Sequence, residues 1–400
     1  MIEKEKLYFY EISLYKELNY KNISMLMDYV YYCYYLSFID KNKNNIYFNK
    51  AKKMFQYIIK HIDDFELGLS SFNGLLGLAY LHRVLYPNQS SKFLKKCEVY
   101  MKYQIIAVFN NYDWKTYGNL YKLYDIFTGI IGIGKYFLNY TNDKKFIWFC
   151  VKKISEITLY KKSLLGFKEI TQDKNEKIES INWGTSHGVI SALLFLHDAD
   201  SKGYSNDDSS KAKKLIIKTY MDNFRIKNNI INWPSVSILK DNRFQPDWSW
   251  RMSWCYGNIG ILRILYLTTK DDYKLNKFIE KQINLISLCE ISELNLNCPT
   301  FCHGYSGPFL IMKILSKEIE NPMIKLNIDE FCNKLEKEID NRYDSNAKFG
   351  FYKFDKLDGI TIKIEDNTSI LEGITSIYVS SIISNHKIKN DIFLEETFIK

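Results

Sequence analysis

The stretch "CYGNIGILRILYL" (255–267) sets two glycines three apart and follows them with a run that is apolar on nearly every side. A helix without a polar face is buried all round, so this segment reads as an inner helix. A pair of small residues three apart, followed by such an apolar run, recurs along the chain. It stands in "FNGLLGLAYLHRVL" (72–85), "FTGIIGIGKYFL" (127–138), "SHGVISALLFL" (186–196), "CHGYSGPFLIMKIL" (302–315) and, more loosely, "LEGITSIYVSSII" (371–383). Anchored on Gly74, Gly129, Gly188, Gly257, Gly304 and Gly373, the copies lie 47 to 69 residues apart, a spacing suited to repeated helical pairs. "ISMLMDYVYYCYYLSFI" (23–39) reads as a further inner helix that lacks the glycines.

Amphipathic segments fall between the copies. In "YFNKAKKMFQYIIKHID" (47–63), Phe48, Met54, Phe55, Ile58, Ile59 and Ile62 share one face and the lysines the other. Residues 210–224, 273–288 and 326–339 follow the same rule. Buried and half-exposed helices that alternate in this way predict an all-α double ring, about seven inner helices within about seven outer ones. The glycines let neighbouring backbones crowd at one end of that ring. They also leave helix N–H groups and positive dipole ends facing a shared mouth. The copies at Gly74 and Gly373 bring no reactive side chain and read as close contact alone. Two segments break the rhythm. Residues 155–182 are polar, with β-like alternation, and read as a small insertion in a single domain over 1–400. Residues 227–254 contain Trp233, Trp248, Trp250 and Trp254 and read as a lid ahead of Cys255.

Bulk properties narrow the class. The 400 residues are 46% hydrophobic and 16% aromatic, which supports a large core and argues against disorder. The net charge of +9 comes from 55 basic and 46 acidic residues without a dense basic run. That excludes a nucleic-acid arm and reads first as an ordinary solvated surface, with a mildly basic face for an acidic peptide or a membrane surface as the second reading. No stretch has the length and apolarity of a membrane span, and the charged beginning has no signal core. Eight scattered cysteines then indicate a reducing compartment, with metal or catalytic roles ahead of disulfides.

Cys255, Cys302 and His303 stand at equivalent places, immediately before the glycine pairs of two successive copies. Two thiolates and an imidazole suit Zn2+ and leave a fourth position open, as a catalytic zinc requires. Cys298 lies outside the repeated frame, behind Pro299, and is left out of the set. His187 holds the corresponding mouth of the preceding copy and is a candidate acid/base. Asp125, one copy earlier, is placed to orient a proton carrier or a cation. Arg251 and Tyr256 flank Cys255 and can hold an oxyanion or supply a proton.

"WCYGNIG", "CHGYSG" and "SHGVISALLFL" resemble the motifs of the lanthionine synthetase C-like (LanC) family, the lanthipeptide cyclases. The resemblance runs over roughly 20–390 and is to a stand-alone cyclase. Ile259 departs from it, since the family often has Pro there. The insertion at 155–182 resembles a small extra domain found in some members. The resemblance implies an α/α-toroid with one zinc per chain. It implies Michael-type addition of substrate cysteine thiols to dehydroalanine or dehydrobutyrine, giving thioether rings in a ribosomally made peptide. It implies as partners a dehydrated precursor peptide with its leader, a dehydratase and an export transporter. The expected setting is cytoplasmic, with peripheral membrane association through a biosynthetic complex. Two other functions fit the same residues. One is a zinc–thiolate enzyme that alkylates a thiol with a different electrophile. The other is a non-catalytic peptide- or glutathione-binding protein.

Overall fold

The computed structural model describes residues 2–39, 44–118, 121–173, 176–240, 243–357, 360–388 and 391–400. The insertion and lid segments each contain two residues outside that set. The described residues form seven buried helices, each preceded in the chain by a more exposed one. The buried seven are Ile23–Leu36, Leu75–Leu85, Ile130–Tyr140, Ile190–Ser201, Asn258–Thr268, Ser306–Glu318 and Thr375–Asn385. The partners are Lys4–Lys16, Asn44–Lys60, Lys92–Asn111, Lys144–Leu159, Asp207–Asp222, Tyr273–Ser287 and Pro322–Asp340. No helix among the described residues is long and apolar enough to cross a membrane.

Local chemistry starts these helices. Asp143 accepts from the Phe146 N–H at 3.0 Å. Asn206 and Ser209 form a reciprocal capping box, and Asn321 caps a helix whose first residue is Pro322. Three of the buried helices start directly on a glycine, Gly74, Gly129 or Gly257, and Gly304 stands just ahead of a fourth. A Cβ at Gly257 would press on the Arg251 carbonyl and lie 2.6 Å from the Ser253 backbone nitrogen; at Gly304 it would meet the carbonyls of Cys298 and Thr300. Backbone cannot yield as a flexible side chain does, so these close approaches require glycine.

The chain divides into two compact units, Met1–Lys95 with Ser287–Ile392, and Lys96–Ile286 with Phe393–Lys400. The first has an aromatic core. The Tyr10 ring stacks on Tyr378 at 4.3 Å and meets the edge of Tyr32 at 4.8 Å. Asp28, buried in the Ile23–Leu36 helix, accepts from the Ile370 N–H at 2.9 Å and so ties down the loop before Gly373. Burial pushes its carboxyl up to about 8, against those hydrogen bonds.

The second unit is closed by its last segment. The Trp254 indole N–H donates to the Thr397 carbonyl at 3.0 Å, buried Arg263 donates through Nε to Ile399 at 2.6 Å, and Lys135 Nζ reaches the Lys400 carbonyl at 3.2 Å. The unit also carries a four-stranded antiparallel sheet in the order Glu169–Asp173, Glu176–Asn182, Val236–Lys240, Arg243–Asp247. Both rhythm-breaking segments therefore contribute strands to one sheet. The lid expectation needs correction on its tryptophans. Trp233 and Trp254 are core residues whose indole N–H groups bond backbone carbonyls.

Arg263→Ala removes a buried donor and a large side chain together and leaves the Ile399 carbonyl without that partner. Stability should fall by about 3 kcal/mol, read as a lower urea midpoint. An unchanged midpoint would contradict the structural role given to the closing segment.

Candidate functional site

The loops ahead of the buried helices carry the chemistry. Asp125 is buried in the turn that opens the Ile130–Tyr140 helix. Its Oδ1 accepts from the backbone N–H groups of Phe127, Thr128 and Gly129 at 3.1, 2.7 and 2.8 Å, and from the Thr128 hydroxyl at 3.1 Å. Its Oδ2 lies 2.9 Å from His187 Nδ1. One carboxylate thus satisfies a helix start and fixes an imidazole, with Nδ1 as the protonated nitrogen that donates to it. Phe127 meets the His187 ring edge-on, the centroids 5.5 Å apart.

Burial alone would lower the His187 pKa. The hydrogen bond and charge of Asp125, joined by the charges of Cys255 and Glu169, outweigh that and hold it above the usual imidazole value. Because the folded pKa is raised, the pair adds stability that is fully present below the ordinary imidazole range. That stability is lost as pH rises through the folded pKa.

Glu169 is a buried carboxyl that the sequence reading missed. The first strand of the sheet delivers it to the Tyr124 hydroxyl, which donates to it. Burial pushes it up to about 7, against the Tyr124 hydrogen bond and the His187 charge. Its signal in the sequence was weak, one of four glutamates in the polar segment 155–182.

Cys255 is buried, and its Sγ lies 2.6 Å from Ser186 Oγ. Its carbonyl accepts from the Thr185 N–H at 2.8 Å. Two consecutive residues, Ser186 and His187, therefore serve the Cys255 sulfur and the Asp125 carboxylate. Ser186 was also missed, although it stands directly before His187 in "SHG". Tyr256 is half-buried, and its hydroxyl accepts from Asn182 Nδ2 at 3.3 Å. Arg251 is half-buried and makes no ion pair among the described residues, so it is not drawn into this network.

In the first unit, Cys302 Sγ lies 3.5 Å from His303 Nε2, which lies 3.9 Å from Glu372 Oε1. The copy at Gly373 thus supplies a carboxylate beside His303, a correction to its reading as close contact alone. Cys298 turns elsewhere, with its sulfur accepting from the Phe354 N–H at 3.4 Å.

Cys255, Cys302 and His303 make up a potential metal site. Their ligand atoms all lie within 4.8 Å of one another. Two sulfurs each about 2.3 Å from a tetrahedral zinc sit roughly 3.8 Å apart, so the set fits such an ion in both donor type and spread. Three thiols elsewhere in the chain are held in the neutral form by burial. Burial raises Cys97 and Cys332 to about 12 and Cys289 to about 11.

Comparison with known proteins follows the same lines. A family model described as lanthionine synthetase C-like protein matches residues 31–375. The nisin biosynthesis protein NisC of Lactococcus lactis subsp. lactis is 26% identical over 338 residues, 78% of each chain. A solved structure of nisin cyclase superposes with a TM-score of 0.74 at 20% identity, covering 92% of this chain and 90% of that one. The fold is the expected all-α α/α-toroid, with small strands added.

Asp125→Asn leaves burial opposed mainly by the charges of Cys255 and Glu169. The His187 pKa should therefore fall, as followed by NMR titration of the imidazole. An unchanged or higher value would remove Asp125 as its controlling partner.

Proposed function

Because the chain belongs to the lanthionine synthetase C-like family, we propose that it is a zinc-dependent lanthipeptide cyclase. It adds cysteine thiols of a dehydrated, ribosomally made peptide to dehydroalanine or dehydrobutyrine, forming lanthionine and methyllanthionine rings. The observation that carries this reading is the run Asp125–His187–Ser186–Cys255, which joins a fixed proton carrier to a sulfur of the Cys255, Cys302 and His303 group.

In this reading Cys255, Cys302 and His303 hold one zinc. When bound, it supplies a Lewis acid that keeps a substrate thiol as thiolate near neutral pH. A sulfur–carbon bond forms at the β-carbon of the dehydro residue, and the π electron pair moves into an enolate. The α-carbon then needs a proton, which His187 delivers from Nε2 while Asp125 stabilises the imidazolium at Nδ1. Ser186 Oγ steadies the Cys255 sulfur from outside the ligand set, the usual task of such a hydroxyl. Arg251 and Tyr256 are assigned to the enolate oxygen, as donors that act once substrate is present.

The whole chain, 1–400, acts as one cyclase domain, with 155–182 inserted in it. The leader-bearing precursor is its substrate. A dehydratase and an export transporter are its companions, and any membrane association is peripheral and runs through them.

Purified protein should contain one zinc, lost in Cys255→Ala, Cys302→Ala and His303→Ala by elemental analysis. Full retention in Cys302→Ala would overturn the ligand set. His187→Asn should keep its zinc and cyclise a dehydrated peptide about 10²- to 10⁴-fold more slowly, read by thiol alkylation and mass spectrometry. Wild-type cyclisation by that variant would remove His187 from the reaction, and zinc loss would make it a ligand.

A further inference from the structure

The second unit has a cleft of about 580 Å³ that the chemistry above does not use. It lies between the turn at Lys162–Leu165, the end of the Asp207–Asp222 helix and the small sheet. Leu164, Trp183, Phe224 and Trp248 give it apolar walls. That volume suits a few side chains of an extended chain and not a folded partner.

Its polar groups lean one way. The cleft has three cations, Lys162, Lys218 and Arg225, and one carboxylate, Asp222, already paired with Lys218. Lys162 and Arg225 form no ion pair among the described residues. The Arg225 guanidinium stacks over the Trp248 ring at 4.4 Å, which orients it. Trp248 Nε1 and Ser163 Oγ are both buried without a hydrogen-bond partner among the described residues. Each can donate, and the indole N–H can do nothing else. Buried donors are costly to leave unmet, so the cleft fits a ligand with acceptors, negative charge and an apolar side chain.

We propose that this cleft binds an acidic segment of the peptide substrate, outside the residues being cyclised. The inference rests on the cyclase reading for its choice of ligand. The position supports it, since Trp183 walls the cleft and begins the turn that carries Ser186 and His187. Trp183 is held there by three hydrogen bonds: its indole N–H donates to Ser237 at 2.8 Å, its backbone N–H to the Ser235 carbonyl at 3.1 Å, and its carbonyl accepts from the Tyr220 hydroxyl at 2.6 Å. A peptide gripped in the cleft would lead its next residues toward that turn. Binding remote from the reacting atoms raises local substrate concentration without changing the chemical step.

The test uses the full-length protein and a fluorescein-labelled synthetic peptide of Glu alternating with Leu and Phe. Its Gln counterpart serves as control. Anisotropy should show that the wild type prefers the acidic peptide and that Arg225→Glu and Lys162→Glu each weaken it about tenfold or more. With a dehydrated cysteine peptide carrying the same acidic segment, both variants should raise KM and leave kcat unchanged. Equal affinity for the Glu and Gln peptides would overturn the proposal. So would binding of phosphatidylserine vesicles, lost in Arg225→Glu, by a protein that ignores the peptide. Cyclisation with unchanged KM in both variants overturns the cleft and leaves the cyclase reading intact. Arg225-dependent binding by a wild type that cyclises nothing supports the cleft and overturns the cyclase reading.

Discussion

Backbone meeting backbone at the mouths of the buried helices is the constraint from which this molecule follows. At Gly257 and Gly304 the preceding loop folds back until its carbonyls and amides occupy the space a Cβ would need. A loop held that tightly has few conformations left, so the side chain just ahead of the glycine is aimed by the main chain. Cys255 and His303 stand in such loops, as do His187 and Glu372. A site built this way needs little further support to hold its geometry.

Asp125 shows how far one group can be used in that setting. Its first oxygen completes the start of a helix, and its second orients the imidazole. One side chain therefore ties the orientation of the His187 ring to the start of the Ile130–Tyr140 helix. Glu169 adds a second carboxyl from the four-stranded sheet. With burial raising it to about 7, it remains partly neutral near physiological pH and does not simply double the negative charge around His187. The sheet thereby connects a peripheral feature of the fold with the electrostatics of the site.

The inner helices were legible because glycine spacing and an unbroken apolar run are local signals. Several outer helices were not. Lys4–Lys16 exposes Phe9, Ile12 and Tyr15, and Lys92–Asn111 exposes Val99, Tyr100 and Tyr103, which blurs the two-faced pattern that periodicity depends on. The grouping of Cys255, Cys302 and His303 was readable because the repeat itself superposes their positions. Ser186 and Glu169 were not, for different reasons. A serine hydroxyl is too common to stand out, and Glu169 reaches Tyr124 only through strand pairing. Tryptophan content misled in 227–254, since the same residue type serves equally as core filler and as a surface for ligands.

The closing segment of the second unit has a consequence for how the protein is made. Residues 393–400 join a unit that otherwise ends at Ile286, and the first unit likewise unites Met1–Lys95 with Ser287–Ile392. Neither can be completed as the chain emerges from the ribosome. Tyr10 must wait for Thr375, its hydrogen-bond partner 365 residues later, and Trp254 for Thr397. At roughly 5–20 residues per second, synthesis leaves these apolar surfaces unpaired for many seconds. Surfaces destined for the core of either unit therefore stay exposed until the distant segment that covers them has been made.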